Sequence, residues 1–470
     1  MNARHTLESL WQDTGMPDDA LNHLTLTGVD PVMPSSFAIG NAAQSSIAAA
    51  ALSAALISHQ RGGPFRSVSV DMREAALECT GFFSLDGITP QVWDPVAGLY
   101  SCGPEGQDGW VRLHTNFTHH RDGVLKLLGL PQGPGTPREA VAQALRTWNA
   151  YDFEDAGAEA GLVVAAVRSF EEWDAHPHAR FVRAQPLVRI ERIADADPLK
   201  WPDLHSAVPA SQSRPLEGLR VLDLTRILAG PVCGRTLAQY GADVMLVNSP
   251  NLPNIASIAD TSRGKRSAHI DLHAPQGVAA LHHLLQDAHV FVQGYRPGAL
   301  ARLGFDPVNV ARHRPGIVYV SLSAYGNEGP WSDRRGFDSL VQTATGFNQA
   351  EAQGASEAQP RAMPVQILDY ATGFLMAFGA QVALRRQALE GGSWHVQVSL
   401  ARTGLWLRSL GRVSNGLSAA KPNVEGYTET SDSGFGKLVA MRHAARFAQW
   451  PIGSSGLRVS MPPGSHPSQW

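Results

Sequence analysis

The chain has 470 residues, 39 of them Lys or Arg and 42 Asp or Glu, for a net charge of −3. A near-neutral balance speaks against sequence-independent nucleic-acid binding, which needs a basic face to displace counterions. A composition of 43% hydrophobic and 17% charged residues excludes a disordered chain and predicts extensive burial, in a large core or a subunit interface.

Cys79, Cys102 and Cys233 are far apart and form no CxxC pair, so they read as buried thiols in a reducing compartment, with no disulfide framework and no zinc site. The first twenty residues carry Arg4, Glu8, Asp13, Asp18 and Asp19 and have no apolar core, so no secretory signal is read there. The longest weakly polar run, 46–57, falls short of the ~20 residues that span a bilayer. These features predict a cytoplasmic protein without a membrane or nucleic-acid partner.

In chain order, 41–60 reads as an Ala-rich helix with a small-residue face, and 67–71 alternates as a strand. A Gly-rich stretch, 98–109, leads into a strand at 110–114. Helices follow at 138–148 and 170–174, with a strand at 161–167 between them. The stretch 196–215 is dense in Asp, Pro and Ser and reads as a linker. Beyond it, strands at 219–224, 243–247, 289–293 and 317–322 alternate with helices near 230–240 and 275–287. Strand–helix–strand repetition with short turns predicts a parallel sheet covered by helices. There is also an internal echo: 39–71 can be laid over 367–399, each a small-residue helix, a Gly-containing turn and an alternating strand.

The turn after Leu224 lacks the glycines of a dinucleotide fingerprint, and neither a P-loop nor a GxSxG elbow occurs. His119-His120 and His282-His283 are adjacent pairs whose side chains point apart, and His176 and His178 flank a proline, so no metal site is predicted. Arg263-Gly-Lys-Arg-Ser267 is a compact cationic turn at the mouth of the sheet, suited to phosphate. Tyr295-Arg-Pro-Gly298 places an aromatic ring and a guanidinium at a strand's carboxyl end, where such sheets bind ligands. Together they favour a phosphorylated, ring-bearing ligand such as a nucleotide or coenzyme A.

Several motifs then occur in a specific order: Pro215-Leu-Glu-Gly-Leu-Arg-Val-Leu-Asp-Leu-Thr-Arg226, Ala229-Gly-Pro-Val-Cys-Gly234, Tyr240-Gly-Ala-Asp-Val244, the two motifs above, Ser321-Leu-Ser-Ala-Tyr-Gly-Asn-Glu-Gly-Pro330, Gly336-Phe-Asp338 and Asp369-Tyr-Ala-Thr-Gly373. This set resembles the class III CoA-transferase family, which includes the α-methylacyl-CoA racemases. The N-terminal part resembles the rear of the same family unit, so the segment order looks rearranged. The resemblance implies an α/β fold: a doubly wound parallel-sheet large domain with a smaller α+β domain, of the interlocked-dimer type. It divides the chain into a helical and strand segment of a large domain (1–97), a small α+β domain (98–195), a linker (196–215) and a Rossmann-like CoA-binding domain (216–470).

The resemblance further implies coenzyme A, bound as an acyl-CoA substrate by Ile227, Arg263, Lys265, Arg266, Tyr295 and Arg302. A carboxylic acid is the second substrate, and a homodimer, possibly interlocked, the assembly. Transferases of this family use an Asp nucleophile in a loop where this chain has none. Glu351 and Glu357, the only carboxylates of 347–359, and Asp338 and Asp369 are therefore the catalytic candidates. The racemases place a His where Phe337 stands, and Phe cannot move a proton. Two alternatives stay open: a catalytically impaired CoA-binding paralogue acting as partner or scaffold, and, less favoured, a 2-methylacyl-CoA racemase or isomerase.

Overall fold

The structure is a computed structural model that describes residues 2–201, 213–448 and 456–470. Most of the 196–215 linker lies outside the described residues. The largest sheet has seven strands, in the order Arg266–His269, Asp243–Asn248, Arg220–Leu224, Val290–Gln293, Val318–Ser323, Ser393–Ser399 and Arg189–Ala194. The first six run parallel and are continuously apolar at the centre, as strands buried on both faces require. The seventh comes from the N-terminal half of the chain and joins antiparallel at one edge. The predicted parallel sheet is present. The final strand of the segment assigned to a small domain belongs to it as well.

Three further sheets of three strands each surround this core. One joins Gly98–Ser101, Trp110–Leu113 and Val164–Ala166, and carries its own apolar cluster around Tyr100, Val111, Leu125 and Phe153. Another pairs Leu24–Thr27 and Val68–Asp71 in parallel, with Ala445–Phe447 antiparallel beside them.

The internal echo is visible as two units of the same construction. The helix Ile39–Gln60 leads to the strand Val68–Asp71, and the helix Ile367–Glu390 to the strand Ser393–Ser399. Each strand then runs directly into a helix capped by its last residue. Asp71 accepts from the Arg73 N–H at 3.0 Å, and Ser399 from the Arg402 N–H at 3.2 Å. The two long helices pack side by side over a broad interface, where the Gln381 side chain donates to the Ala50 carbonyl at 3.1 Å. Small residues permit this approach.

The helix Ile367–Glu390 corrects one expectation. By length and composition it could cross a bilayer, with a mean hydropathy of 1.4 over 18 residues, so 46–57 is not the longest apolar run. All of that window is buried inside the molecule. Its apolar surface is already covered by protein, chiefly the helices Ile39–Gln60 and Ala229–Gln239 and the strand Ser393–Ser399. Gly373 sits where it crosses Ala229–Gln239: a Cβ there would lie 2.5 Å from the Ala229 carbonyl oxygen.

Candidate active site

Three neighbouring parallel strands, Arg220–Leu224, Val290–Gln293 and Val318–Ser323, end side by side. Beyond their carboxyl ends lies a cavity of about 340 Å³. The segments that continue those strands line it: Arg226 to Ala229, Gly294 to Pro297, and Leu322 to Ala324. Such an edge is where open parallel sheets bind ligands. The small-domain segment closes it from the other side with Phe117, His119 and His120.

The turn after the first strand is strained. Ile227 has φ +78, a conformation that a β-branched side chain resists and that must be held by its surroundings. Such strain clusters at ligand sites, and this residue lines the cavity.

Two carboxyls, Asp338 and Asp369, stand together at this site. Asp369 lies in the first turn of Ile367–Glu390 and is the only carboxylate among the residues lining the cavity. Asp338 starts the helix Asp338–Ala344 and is fully buried behind it, accepting the Asp369 N–H at 2.9 Å and a bond from Gln342. Asp369 itself accepts from the Ala229 N–H, at the start of another helix. Burial pushes Asp338 up to about 6, against the pull of the backbone N–H groups of Asp369 and Leu368. Burial and then the charge of Asp338 push Asp369 far above the ordinary carboxylate range. Each carboxyl is thus held above the ordinary carboxylate range, and the charge on one opposes ionisation of the other.

The rest of the cavity is apolar and cationic. Arg226, Arg296, Arg334 and Arg335 line it. Arg334 is committed to Glu154 and lies over the Trp331 ring. Among the described residues, no ion pair holds Arg226, Arg296 or Arg335. The Nε atoms of Arg226 and Arg335 are buried without a hydrogen-bond partner. Arg335 donates to His120 Nε2 at 3.1 Å, which fixes that nitrogen as an acceptor. Burial, His119 and Arg335 push His120 down to about 3, so it stays neutral. Phe337 stacks on His114 with ring centroids 4.2 Å apart, which ties the segment after the strand Trp110–Leu113 to the helix start that bears Asp338.

Of the sequence-predicted ligand residues, Ile227 and Tyr295 line the cavity and Asp369 joins them, with Asp338 directly behind. The cationic turn behaves differently. Lys265 is fully buried, its Nζ 2.8 Å from Asp223 and 2.8 Å from the Pro231 carbonyl. Arg263 is buried against Asp260 at 2.7 Å and Glu429 at 2.6 Å. Arg266 pairs with Asp243 at 3.2 Å, from the edge strand rather than a turn. Arg302 is exposed, and none of these four lines the cavity. The charges of Arg263, Lys265 and Arg266 hold strands and loops together.

Neither glutamate lies with them. The expected loop 347–359 is mostly a helix, Phe347–Ala355. Glu351 points from it into the N-terminal segment, where it is fully buried and accepts from the Ser36 N–H at 3.0 Å and from both Ser35 and Ser36 hydroxyls. Glu357 follows that helix and pairs on the surface with Arg361. Sequence reasoning missed Phe117, Arg226, Arg335 and the His119-His120 pair as cavity residues. The doublets Arg334-Arg335 and His119-His120 were the available signals.

Comparison with known proteins agrees with the motif reading. The sequence model of CoA-transferase family III matches residues 216–431, a little under half of the chain and nearly the stretch that carries the motifs. An acyl-CoA transferase of Gibberella moniliformis is 30% identical over 71% of this chain and 64% of its own length. A succinate–glutarate CoA-transferase of Agrobacterium fabrum is 31% identical over 45% of this chain and 60% of its own length. A crystal structure of a hypothetical protein from Mycobacterium tuberculosis shares 31% identity over 42% of this chain and 58% of that one, with a TM-score of 0.39. The chain therefore spans less than two thirds of the length of these curated relatives.

Proposed function

We propose that the protein transfers CoA between an acyl-CoA thioester and a carboxylic acid, with Asp369 as the attacking carboxylate. The observation that carries this reading is the position of Asp369: among the described residues it alone presents a carboxyl to the cavity at the carboxyl ends of the parallel strands. The family match over 216–431 supplies the reaction class.

The chemistry follows from the pair. Ionised Asp369 attacks the thioester carbonyl and expels the CoA thiolate, leaving a mixed anhydride. The thiolate then attacks the Asp369 carbonyl, releasing the first acid and forming an aspartyl-CoA thioester. The acceptor carboxylate attacks that thioester, the thiolate leaves again, and it finally attacks the acceptor's own acyl carbon. The products are the new acyl-CoA and a regenerated Asp369. A carboxylate whose pKa is raised by burial is a stronger nucleophile once ionised. Asp338 acts as a positioning residue: it fixes the Asp369 backbone and sets the proton's distribution. Arg226, Arg296 and Arg335 supply positive charge for anionic groups of the substrates without spending it on protein carboxylates. The three buried thiols suit a reducing compartment, and we place the protein in the cytoplasm.

The test is direct. Incubation with a panel of acyl-CoAs, acid quench and peptide mass spectrometry should find a hydroxylamine-sensitive CoA adduct on Asp369. Binding of CoA with no adduct on any carboxylate would assign the chain to the non-catalytic paralogue reading instead. An adduct on Glu351 or Glu357 would move the nucleophile.

A further inference from the structure

The two echoing units agree beyond their outlines. In the C-terminal unit, Asp338 accepts backbone N–H groups from Leu368 and Asp369 at the start of the helix Ile367–Glu390. In the N-terminal unit, Asp30 accepts the Gly40 N–H at 3.2 Å and the Asn41 N–H at 3.0 Å, at the start of the helix Ile39–Gln60. Laying Ile39 on Ile367 puts Gly40 on Leu368 and Asn41 on Asp369. The same acceptor meets the same two donors in both units. A coincidence of composition would not reproduce this pairing residue by residue.

The units differ in two respects. Asn41 stands where Asp369 stands, so the second acid is missing. The room is missing as well. Asp338 and Asp369 are thirty-one residues apart, and the intervening chain forms the helices Asp338–Ala344 and Phe347–Ala355. Asp30 and Asn41 are eleven apart. Around Gly40, a Cβ would lie 2.4 Å from Asp30, 2.5 Å from Val32 and 2.9 Å from Met72, so the helix start is sealed by packing. Asn41 itself is buried.

We infer that the N-terminal unit is a second copy of the reactive helix start whose acid site has been retired, so that each chain carries one reaction centre and the retired copy serves as its internal packing partner. The inference rests on the transfer reading for the word reaction and on the paired hydrogen bonds for the duplication. The retired copy earns its place by covering the long apolar helix Ile367–Glu390 along its length. Its small residues and hydroxyls satisfy that interface: Ser45, Ser46 and Ser53 each return a hydrogen bond to the helix's own carbonyls, which lets polar side chains lie in a buried face. The same chain also lends Phe117, His119 and His120 to the cavity.

The experiment compares full-length Asp30→Asn, Asp338→Asn and Asn41→Asp with the parent, reading thermal stability and CoA equivalents trapped per chain by intact mass. Asp30→Asn and Asp338→Asn each weaken one acceptor of two N–H groups, so both should lower Tm by a few degrees. Only Asp338→Asn should change the pH dependence of trapping, while Asp30→Asn keeps the parent's yield within about twofold. The parent and Asn41→Asp should trap no more than one equivalent. A second equivalent in either, or loss of trapping in Asp30→Asn equal to that in Asp338→Asn, would overturn the inference. If the parent traps nothing, the transfer reading fails alone. The duplication is then decided by stability, standing if both Asp→Asn variants melt lower and falling if only one does.

Discussion

The start of Ile39–Gln60 and the start of Ile367–Glu390 present the same backbone to the same kind of acceptor, yet only the second lines the cavity at the sheet's edge. The difference shows that an acid at a helix start is cheap to build and that the space in front of it is the costly part. Around Asp369 the helices of 338–355, the strained turn at Ile227 and the small domain hold that space open. Around Asn41 the chain takes the short route and fills it. Burial without a cavity favours a neutral amide. Burial beside a cavity leaves a carboxyl with a raised pKa that a substrate can use.

The largest effect expected is on folding. A fragment of 216–470 would lack both Ile39–Gln60 and the edge strand Arg189–Ala194, baring an entirely buried apolar helix. It should be insoluble or unfolded by circular dichroism; a stable monomeric fragment would show that the N-terminal unit is not a packing partner. Next comes Asp369→Asn, which keeps the shape and removes the nucleophile. Transfer should fall by at least ~10³-fold with Tm held or raised, since a buried titrating pair is relieved.

Asn41→Asp makes the opposite exchange in the sealed copy. It adds a second carboxyl beside half-buried Asp30, at a position that is itself buried. A loss of roughly 2 kcal/mol in urea unfolding is expected at neutral pH, with catalysis retained. Equal stability would mean that the two copies differ less in enclosure than their packing indicates.

The pH profile sharpens the comparison further. Asp369 must lose a proton to attack, and its pKa lies above the ordinary value. The rate should therefore be low in acid and rise as pH climbs through the raised pKa. Asp338→Asn removes the neighbouring negative charge that helps to raise Asp369, so the rise should move to lower pH. An unmoved profile would assign the titration to another group. The smallest effect belongs to Glu357→Gln, which loses an exposed ion pair with Arg361 and should leave both rate and stability within error.

How far the sequence could be read follows the same division. Central strands of the large sheet announce themselves through unbroken apolar runs, because both faces are buried. The edges do not. Arg266–His269 is polar and was read as part of a cationic turn, and Arg189–Ala194 pairs only because the fold returns it to the sheet from the other half of the chain. The loop expected at 347–359 rests on the family resemblance alone, and the helix Phe347–Ala355 stands in its place.

At the site, the Gly-Phe-Asp and Asp-x-x-x-Gly motifs point to Asp338 and Asp369, and each stands at a helix start. The cations of 263–266 were misjudged for a physical reason. Their counter-charges, Asp223, Asp260, Asp243 and Glu429, lie far away along the chain, and a charge pair across space leaves no local trace. Arg226 and Arg335 carry no such mark in the sequence for the converse reason: what distinguishes them is the absence of an ion-pair partner among the described residues.

The claim that Asp369 alone carries the chemistry is tested most directly by oxygen transfer. In the proposed sequence, one oxygen of the acceptor carboxylate bridges the second anhydride and remains on the enzyme when the acceptor leaves as its thioester. A single turnover with an ¹⁸O-labelled acceptor, followed by proteolysis and mass spectrometry, should place one ¹⁸O in the peptide that contains Asp369, rising towards two on repeated turnover, and none in the peptides that contain Asp30, Glu351 or Glu357. Sustained turnover with no label in the Asp369 peptide would contradict the account.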